Sequence, residues 1–201
     1  MDFLQLFFIF SLSVMPEGYF LCERSIIMAL IVRPARETDL PAIGELYGTV
    51  CDALQGKAYN PGWARDGFPT LDCAREYLRE GALLIAMEGS EPVGSVGLTR
   101  EPSAEDGFEN APDFDDKVWY LHVLAVHPAH QRRGISSLLL SAAEDYSRAQ
   151  GANTTRLYVW EGNAPALRAY EKSGYSCVKR NVDIGLAGFG LPRFFLYEKP
   201  L

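Results

Sequence analysis

The residues of this 201-residue chain best placed for chemistry are Gln131-Arg132-Arg133-Gly134-Ile135-Ser136. They follow the apolar run Leu121 to Val126 and the turn His127-Pro128. A buried strand that ends in a short turn and opens a helix aims unsatisfied backbone N–H groups, with the positive end of the helix dipole, at whatever lies above the turn. Arg132 and Arg133 add positive charge, and Gly134 permits close approach to the backbone. Arginines at a helix start oppose the dipole, so they either serve a bound anion or simply decorate the helix. Placement alone leaves both open. The run lacks the Lys-Ser/Thr of a P-loop and the paired glycines of a dinucleotide fingerprint, and it fits a pyrophosphate cradle.

Other chemistries are excluded or weakened. Three histidines, and four cysteines spread over positions 22, 51, 73 and 177, do not make a metal motif, so no metal is expected. The cysteines read as buried thiols of a reducing compartment, which implies the cytoplasm. A net charge of −7 argues against a nonspecific nucleic-acid partner, which needs a positive face. A local arginine pair can still hold an anionic cofactor.

The elements that must position this turn follow from periodicity. Ala29–Arg33 is a strand stopped by Pro34. Thr38 is the expected N-cap of a helix to about Cys51, with Leu40, Ile43, Leu46, Tyr47 and Val50 as its buried stripe. Residues 52–69, with Gly56, Pro61, Gly62, Gly67 and Pro69 among aromatics, read as irregular. Thr70 caps a second helix to Arg79. Ala82–Glu88 and Pro92–Arg100 form a hairpin, and 101–116 is an acidic loop without a basic residue. Lys117–Val126 is an apolar strand and Gly134–Gln150 a helix. Arg156–Trp160 is a strand, and Asn163 caps a helix to Lys172. Tyr175–Asn181 and Arg193–Glu198 are the last strands, separated by a Gly-rich loop. Strict alternation would put Tyr120, His122, Leu124 and Val126 on one face of their strand, and Trp119, Leu121, Val123 and Ala125 on the other. The order β-α-α-β-β-β-α-β-α-β-β implies an α/β fold, a mixed sheet with helices on both faces.

A second motif lies downstream, Arg156-Leu-Tyr-Val-Trp-Glu-Gly-Asn163-Ala-Pro-Ala-Leu-Arg-Ala-Tyr170-Glu-Lys-Ser-Gly-Tyr175. Together with Leu124-Ala125-Val126-His127-Pro128 and the Gln131–Ser136 run, it resembles the two linked signatures of the GCN5-related N-acetyltransferase (GNAT) superfamily, in family order and spacing. The likeness extends from Met28 to Lys199 and is to the small bacterial-type members. It departs from the pattern at Ser136, where Gly or Ala is usual. The resemblance implies a mostly antiparallel seven-stranded sheet splayed between its fourth and fifth strands. It also implies acetyl-CoA as cosubstrate. Main-chain groups of Leu124, Ala125 and Val126 would pair with the pantetheine arm. Gln131, Arg132, Arg133, Gly134, Ile135 and Ser136 would hold the pyrophosphate, and Asn163 would cap its helix and contact the cofactor.

Tyr170 corresponds to the family's general acid near the CoA sulfur; its alternative reading is a core aromatic. His122 is the candidate base or water-holder, because imidazole titrates near neutrality, and otherwise reads as an ordinary polar strand residue. The strand also resembles that of the arylalkylamine N-acetyltransferases, which carry two histidines two residues apart. The second matches His122, and Tyr120 replaces the first, leaving that relay incomplete. Trp63, Phe68 and Trp160 would line an acceptor pocket, or pack as an ordinary loop and core.

These features imply an enzyme that transfers acetyl from acetyl-CoA to a primary amine of a small molecule by direct attack in a ternary complex. Acetylation of a protein N-terminus or lysine is the alternative enzyme, and an acyl-CoA-binding module without catalysis is the alternative class. The expected partner is a small amine, with no nucleic acid and no stable membrane insertion, in a monomer or a homodimer. Residues 28–201 form the expected domain. Residues 1–27 stand apart: four of the eleven Phe fall in the first ten positions, and Asp2, Glu17, Glu23 and Arg24 give a net −2, leaving −5 to the remainder. The apolar stretch Phe3–Met15 is too short for a membrane span. It lacks the basic start and small-residue cleavage site of a signal peptide. A start placed too early is the expectation, against an amphipathic accessory segment or an anchor.

Overall fold

The structure, a computed structural model, describes residues 13–14, 20–21, 30–80, 82–100 and 117–201. The leader lies outside the described residues except for an antiparallel contact of Ser13–Val14 with Phe20–Leu21. The acidic loop 101–116 lies wholly outside them.

Seven strands form one sheet: β1 (Leu30–Pro34), β2 (Ala82–Glu88), β3 (Glu91–Thr99), β4 (Val118–Val126), β5 (Thr154–Trp160), β6 (Ser176–Val182) and β7 (Phe194–Pro200). Their order is β1-β2-β3-β4-β5-β7-β6, and every pairing is antiparallel except β4 with β5. Four helices cover it: α1 (Leu40–Leu54), α2 (Leu71–Glu80), α3 (Ile135–Ala149) and α4 (Ala164–Lys172). In β2, Leu83, Ile85 and Met87 join the core shared with α1 and α2. The alternate Ala82, Leu84 and Ala86 join the core shared with α3. A strand buried on both faces must read as a continuous apolar run, and this one does.

The α1 stripe is the expected one, but its start is not. Thr38 does not cap the helix. It sits inside a 3-10 turn, Glu37–Asp39, and Asp39 is the N-cap. The Asp39 carboxylate accepts the Arg36 N–H at 2.7 Å and pairs with the Arg33 guanidinium at 2.7 and 2.8 Å. The Asp39 side chain makes no capping bond to α1; as a charged acceptor it closes the preceding turn and holds Arg33. Downstream caps follow expectation: Thr70 Oγ1 accepts from Cys73 N at 3.2 Å, and Asn163 Oδ1 from Ala166 N at 3.3 Å.

Two irregularities in β4 create the site. Its parallel pairing with β5 covers only Val118–Tyr120 against Thr154–Arg156, and beyond this the ladder stops. On its other side, Ser95 pairs with Ala125 and Gly97 with His122, so Val96 opposes both Val123 and Leu124. This is a β-bulge, and Val123 takes φ 45 in it, a left-handed backbone that costs a β-branched residue on the order of 1–3 kcal/mol. The bulge overturns the expected alternation. Leu124 and Val126 pack with Trp119 and Leu121 on the α3 side, while Val123 and Ala125 pack on the α1/α2 side. One inserted residue shifts every later side chain to the opposite face.

Candidate active site

Where β4 and β5 diverge, a cavity of about 1170 Å³ opens between them. Leu124, Ala125 and Val126 line one wall, and from Leu121 onward β4 has no ladder partner on that side. Tyr170 and Asn163, carried by α4 and its cap, line the opposite wall with Trp160 of β5. Gln131 and Ser136 close the end near the turn, and Trp63 and Phe68 close the end near the α1–α2 connection. Twelve of the sixteen residues singled out from the sequence therefore meet in one space.

The other four are in the turn and serve it differently. Ile135 is buried in the core beneath α3, so only its backbone faces the turn. Gly134 is the N-cap of α3 with φ 79, and a Cβ there would enter open space. Arg132 is exposed and holds φ 64. Arg133 reaches back to β2, where its guanidinium grips Glu88, at 3.0 Å for one contact, and meets His130 Nδ1 at 2.8 Å. That guanidinium holds the Glu88 carboxyl below its usual range. Arg133 thus braces the turn against the sheet instead of pointing into the cavity.

His122 is held from two sides. Its ring stacks on Tyr77 of α2, 5.3 Å between centroids and 10° from parallel, and its Nε2 lies 2.8 Å from Thr99 Oγ1 of β3. Gly97 makes the stack possible: a Cβ there would sit 2.4 Å from Tyr77 Cδ2. Burial lowers the imidazole pKa to about 4, because the charged form loses its solvation. Tyr170 is pushed the other way, its phenol held protonated well above the ordinary value by burial. Tyr120 stacks on Tyr158 with rings 6.4 Å apart, and the neighbouring Arg156 donates from Nε to Glu198 at 2.7 Å. Trp63 meets Phe68 edge to face at 6.3 Å, and Asn60 brackets Trp63 by accepting its N–H at 2.8 Å and donating to its carbonyl at 3.0 Å.

Sequence reasoning missed Tyr77, Thr99 and Tyr158. Tyr77 carried a signal, since Cys73, Ala74 and Tyr77 form the buried stripe of α2. Thr99 carried none; only the β3–β4 register brings it beside His122. Among the described residues no group of three His, Cys, Asp or Glu side chains comes together as a metal site, and no helix is long and apolar enough to cross a membrane.

A sheet splayed beside a bulged strand, with a glycine-opened helix at one end, brings a free strand edge and a helix start to one cavity. The Acetyltransferase (GNAT) family profile matches residues 50–175, and the chain belongs to that family. It is similar to the mycothiol acetyltransferase of Corynebacterium glutamicum, 32% identical over 107 residues, which cover 53% of this chain and 32% of that protein. It is also similar to the streptothricin acetyltransferase of Streptomyces lavendulae, 38% identical over 53 residues, or 26% and 28% of the two chains. The chain spans about a third of the length of these curated relatives. Its fold is that of yncA from Salmonella typhimurium, solved with acetyl-CoA, at a TM-score of 0.63 and 20% identity, covering 86% of this chain and 94% of that one. The ribosomal-protein-alanine N-acetyltransferase of Brucella melitensis shares it at a TM-score of 0.62 and 21% identity, covering 86% and 100%.

Proposed function

We propose that this chain transfers the acetyl group of acetyl-CoA to the primary amine of a small molecule, in a ternary complex. The observation that carries the reading is the single cavity running from the Gly134 turn, past the unpaired edge of β4, to an aromatic end at Trp63 and Phe68. Backbone N–H groups at the α3 start would hold the pyrophosphate, with Arg132 adding charge. The free edge of β4 would pair with the pantetheine arm and offer an N–H to the thioester oxygen, where negative charge grows in the transition state.

The amine nitrogen would attack the thioester carbonyl. As the new C–N bond forms, the C–S bond breaks, and the leaving thiolate takes the Tyr170 proton. Burial keeps the phenol protonated in the resting site, so the proton that the thiolate needs is in place. His122, neutral above about pH 4, is a poor store for a proton but a good acceptor for a water or for the amine N–H. It would orient the nucleophile, with the excess proton passing to solvent. Tyr120 would shape the wall beside it. The curated relatives are named for small-molecule acceptors, which supports a small amine over a protein.

Calorimetric titration with acetyl-CoA tests the first half, with micromolar affinity expected; millimolar or absent binding overturns both enzyme readings. Thiol release with 2-phenylethylamine, putrescine and a peptide with a free N-terminus tests the second. Turnover of the peptide alone would move the acceptor to proteins. Binding without turnover of any amine would make this a noncatalytic acyl-CoA module.

A further inference from the structure

Behind Tyr170 lies a buried polar cluster that the transfer step does not touch. Glu144 of α3, 7% exposed, accepts from Lys199 Nζ of β7 at 2.7 Å. The same ammonium donates to the Ser173 carbonyl, one residue past the end of α4, at 2.9 Å, and lies 5.7 Å from the centre of the Tyr175 ring. The Tyr175 hydroxyl is 3.0 Å from Thr155 Oγ1 of β5, and its N–H donates to the Tyr170 carbonyl at 3.0 Å. The rings of Tyr170 and Tyr175 meet edge to face, 6.0 Å apart at 63°. One ammonium therefore joins α3, β7 and the end of α4 around the ring that abuts Tyr170.

Packing alone does not account for such an arrangement. The helix that carries Tyr170 has nine residues, buries none of them fully, and rests on the core through Ala166, Leu167 and Tyr170. An ion pair whose carboxylate is buried and whose ammonium is partly so adds little stability, because desolvation offsets the attraction, and apolar pairs of similar volume often do as well. Direction is what the pair supplies: two acceptors, the Glu144 carboxylate of α3 and the Ser173 carbonyl at the end of α4, converge on the Lys199 ammonium of β7, and a shift of α4 would break that geometry. A misplacement of about 1 Å at a reacting group costs on the order of a hundredfold in rate.

We propose that Glu144 and Lys199 are positioning residues that hold the end of α4, and through Tyr175 the phenol of Tyr170, in register with the thioester sulfur. The inference rests on Tyr170 as proton donor. Its test uses the full chain with acetyl-CoA and hydroxylamine, a nucleophile that makes the readout independent of the native acceptor. The E144L/K199M double variant is expected to keep its Tm and its acetyl-CoA affinity while kcat falls between about ten- and a hundredfold. Added to Tyr170→Phe, the same pair is expected to lower kcat no further, because both changes remove one contribution. Lys199→Arg, which keeps the charge, is expected to retain most of the rate and serves if the double variant does not fold. Full kcat in E144L/K199M, equal losses in Lys199→Arg and E144L/K199M, or an undiminished further loss on the Tyr170→Phe background would each overturn the positioning role. Full kcat in Tyr170→Phe alone would instead remove the proton-donor reading beneath it.

Discussion

At the scale of single residues, burial assigns different work to two side chains that look alike as candidates. His122 is enclosed by Tyr77 and Thr99, and burial lowers its pKa to about 4, so it is uncharged throughout the neutral range. Its folded pKa lies below the ordinary value of about 6.5, so the unfolded chain takes up the proton first as pH falls. Stability contributed by the neutral ring is complete above pH 6.5. It declines as pH drops toward 4 and is lost below that, an effect of up to about 3 kcal/mol. Urea unfolding across this window should show a slope in the native chain that His122→Gln lacks. Tyr170 has the opposite shift and keeps its proton, as a donor must. Tyr170→Phe should lower kcat by about a hundredfold or more with little change in acetyl-CoA affinity, measured as initial rates of thiol release. A full rate at every pH would end the assignment.

At the scale of elements, the site is a product of two interruptions in regular structure. The β4 bulge turns Leu124 and Val126 toward α3, and the early end of the β4–β5 ladder leaves a strand edge open to a ligand. The start of α3 is the third component. Gly134 has a left-handed φ of 79 with open space where a side chain would begin. Gly134→Ala should cost about 1–2 kcal/mol of stability through backbone strain. Its methyl group would also enter the space above the turn, so calorimetry should show acetyl-CoA binding weakened by more than the loss of stability explains. Unchanged affinity would move the pyrophosphate elsewhere.

At the scale of the whole molecule, two apolar layers clamp one sheet, and each layer delivers one side of the cavity. The α1/α2 layer brings Tyr77 to His122, and the α3 layer brings Tyr175 to Tyr170. The first strand of the seven begins at Leu30, so residues 1–27 supply none of these strands. A chain that starts at Met28 should unfold in the same cooperative transition and bind acetyl-CoA with the same affinity as the full chain, by thermal melting and calorimetry. A Tm lower by several degrees would make the leader part of the domain.

Periodicity and two linked motifs were enough, without coordinates, to read the order of strands and helices, the α1 stripe, the Thr70 and Asn163 caps, and twelve of the residues that meet in the cavity. These are local or nearly local properties, set by side-chain spacing along one element and by the chemistry of one turn. The rest depends on neighbours distant in sequence. Asp39 is held at the helix start by Arg33, six residues back. Arg133 leaves the cavity because Glu88 stands at the end of β2, two strands away in the sheet. Thr99 reaches His122 only through the register of β3 against β4. The bulge itself appears in no pattern of residue types, since Val123 and Leu124 look like any apolar strand. The sequence by itself determined the elements and the chemistry available on them. Tertiary structure decided which face each residue took and which charges were already paired, because burial and pairing exist only once separate elements share a volume.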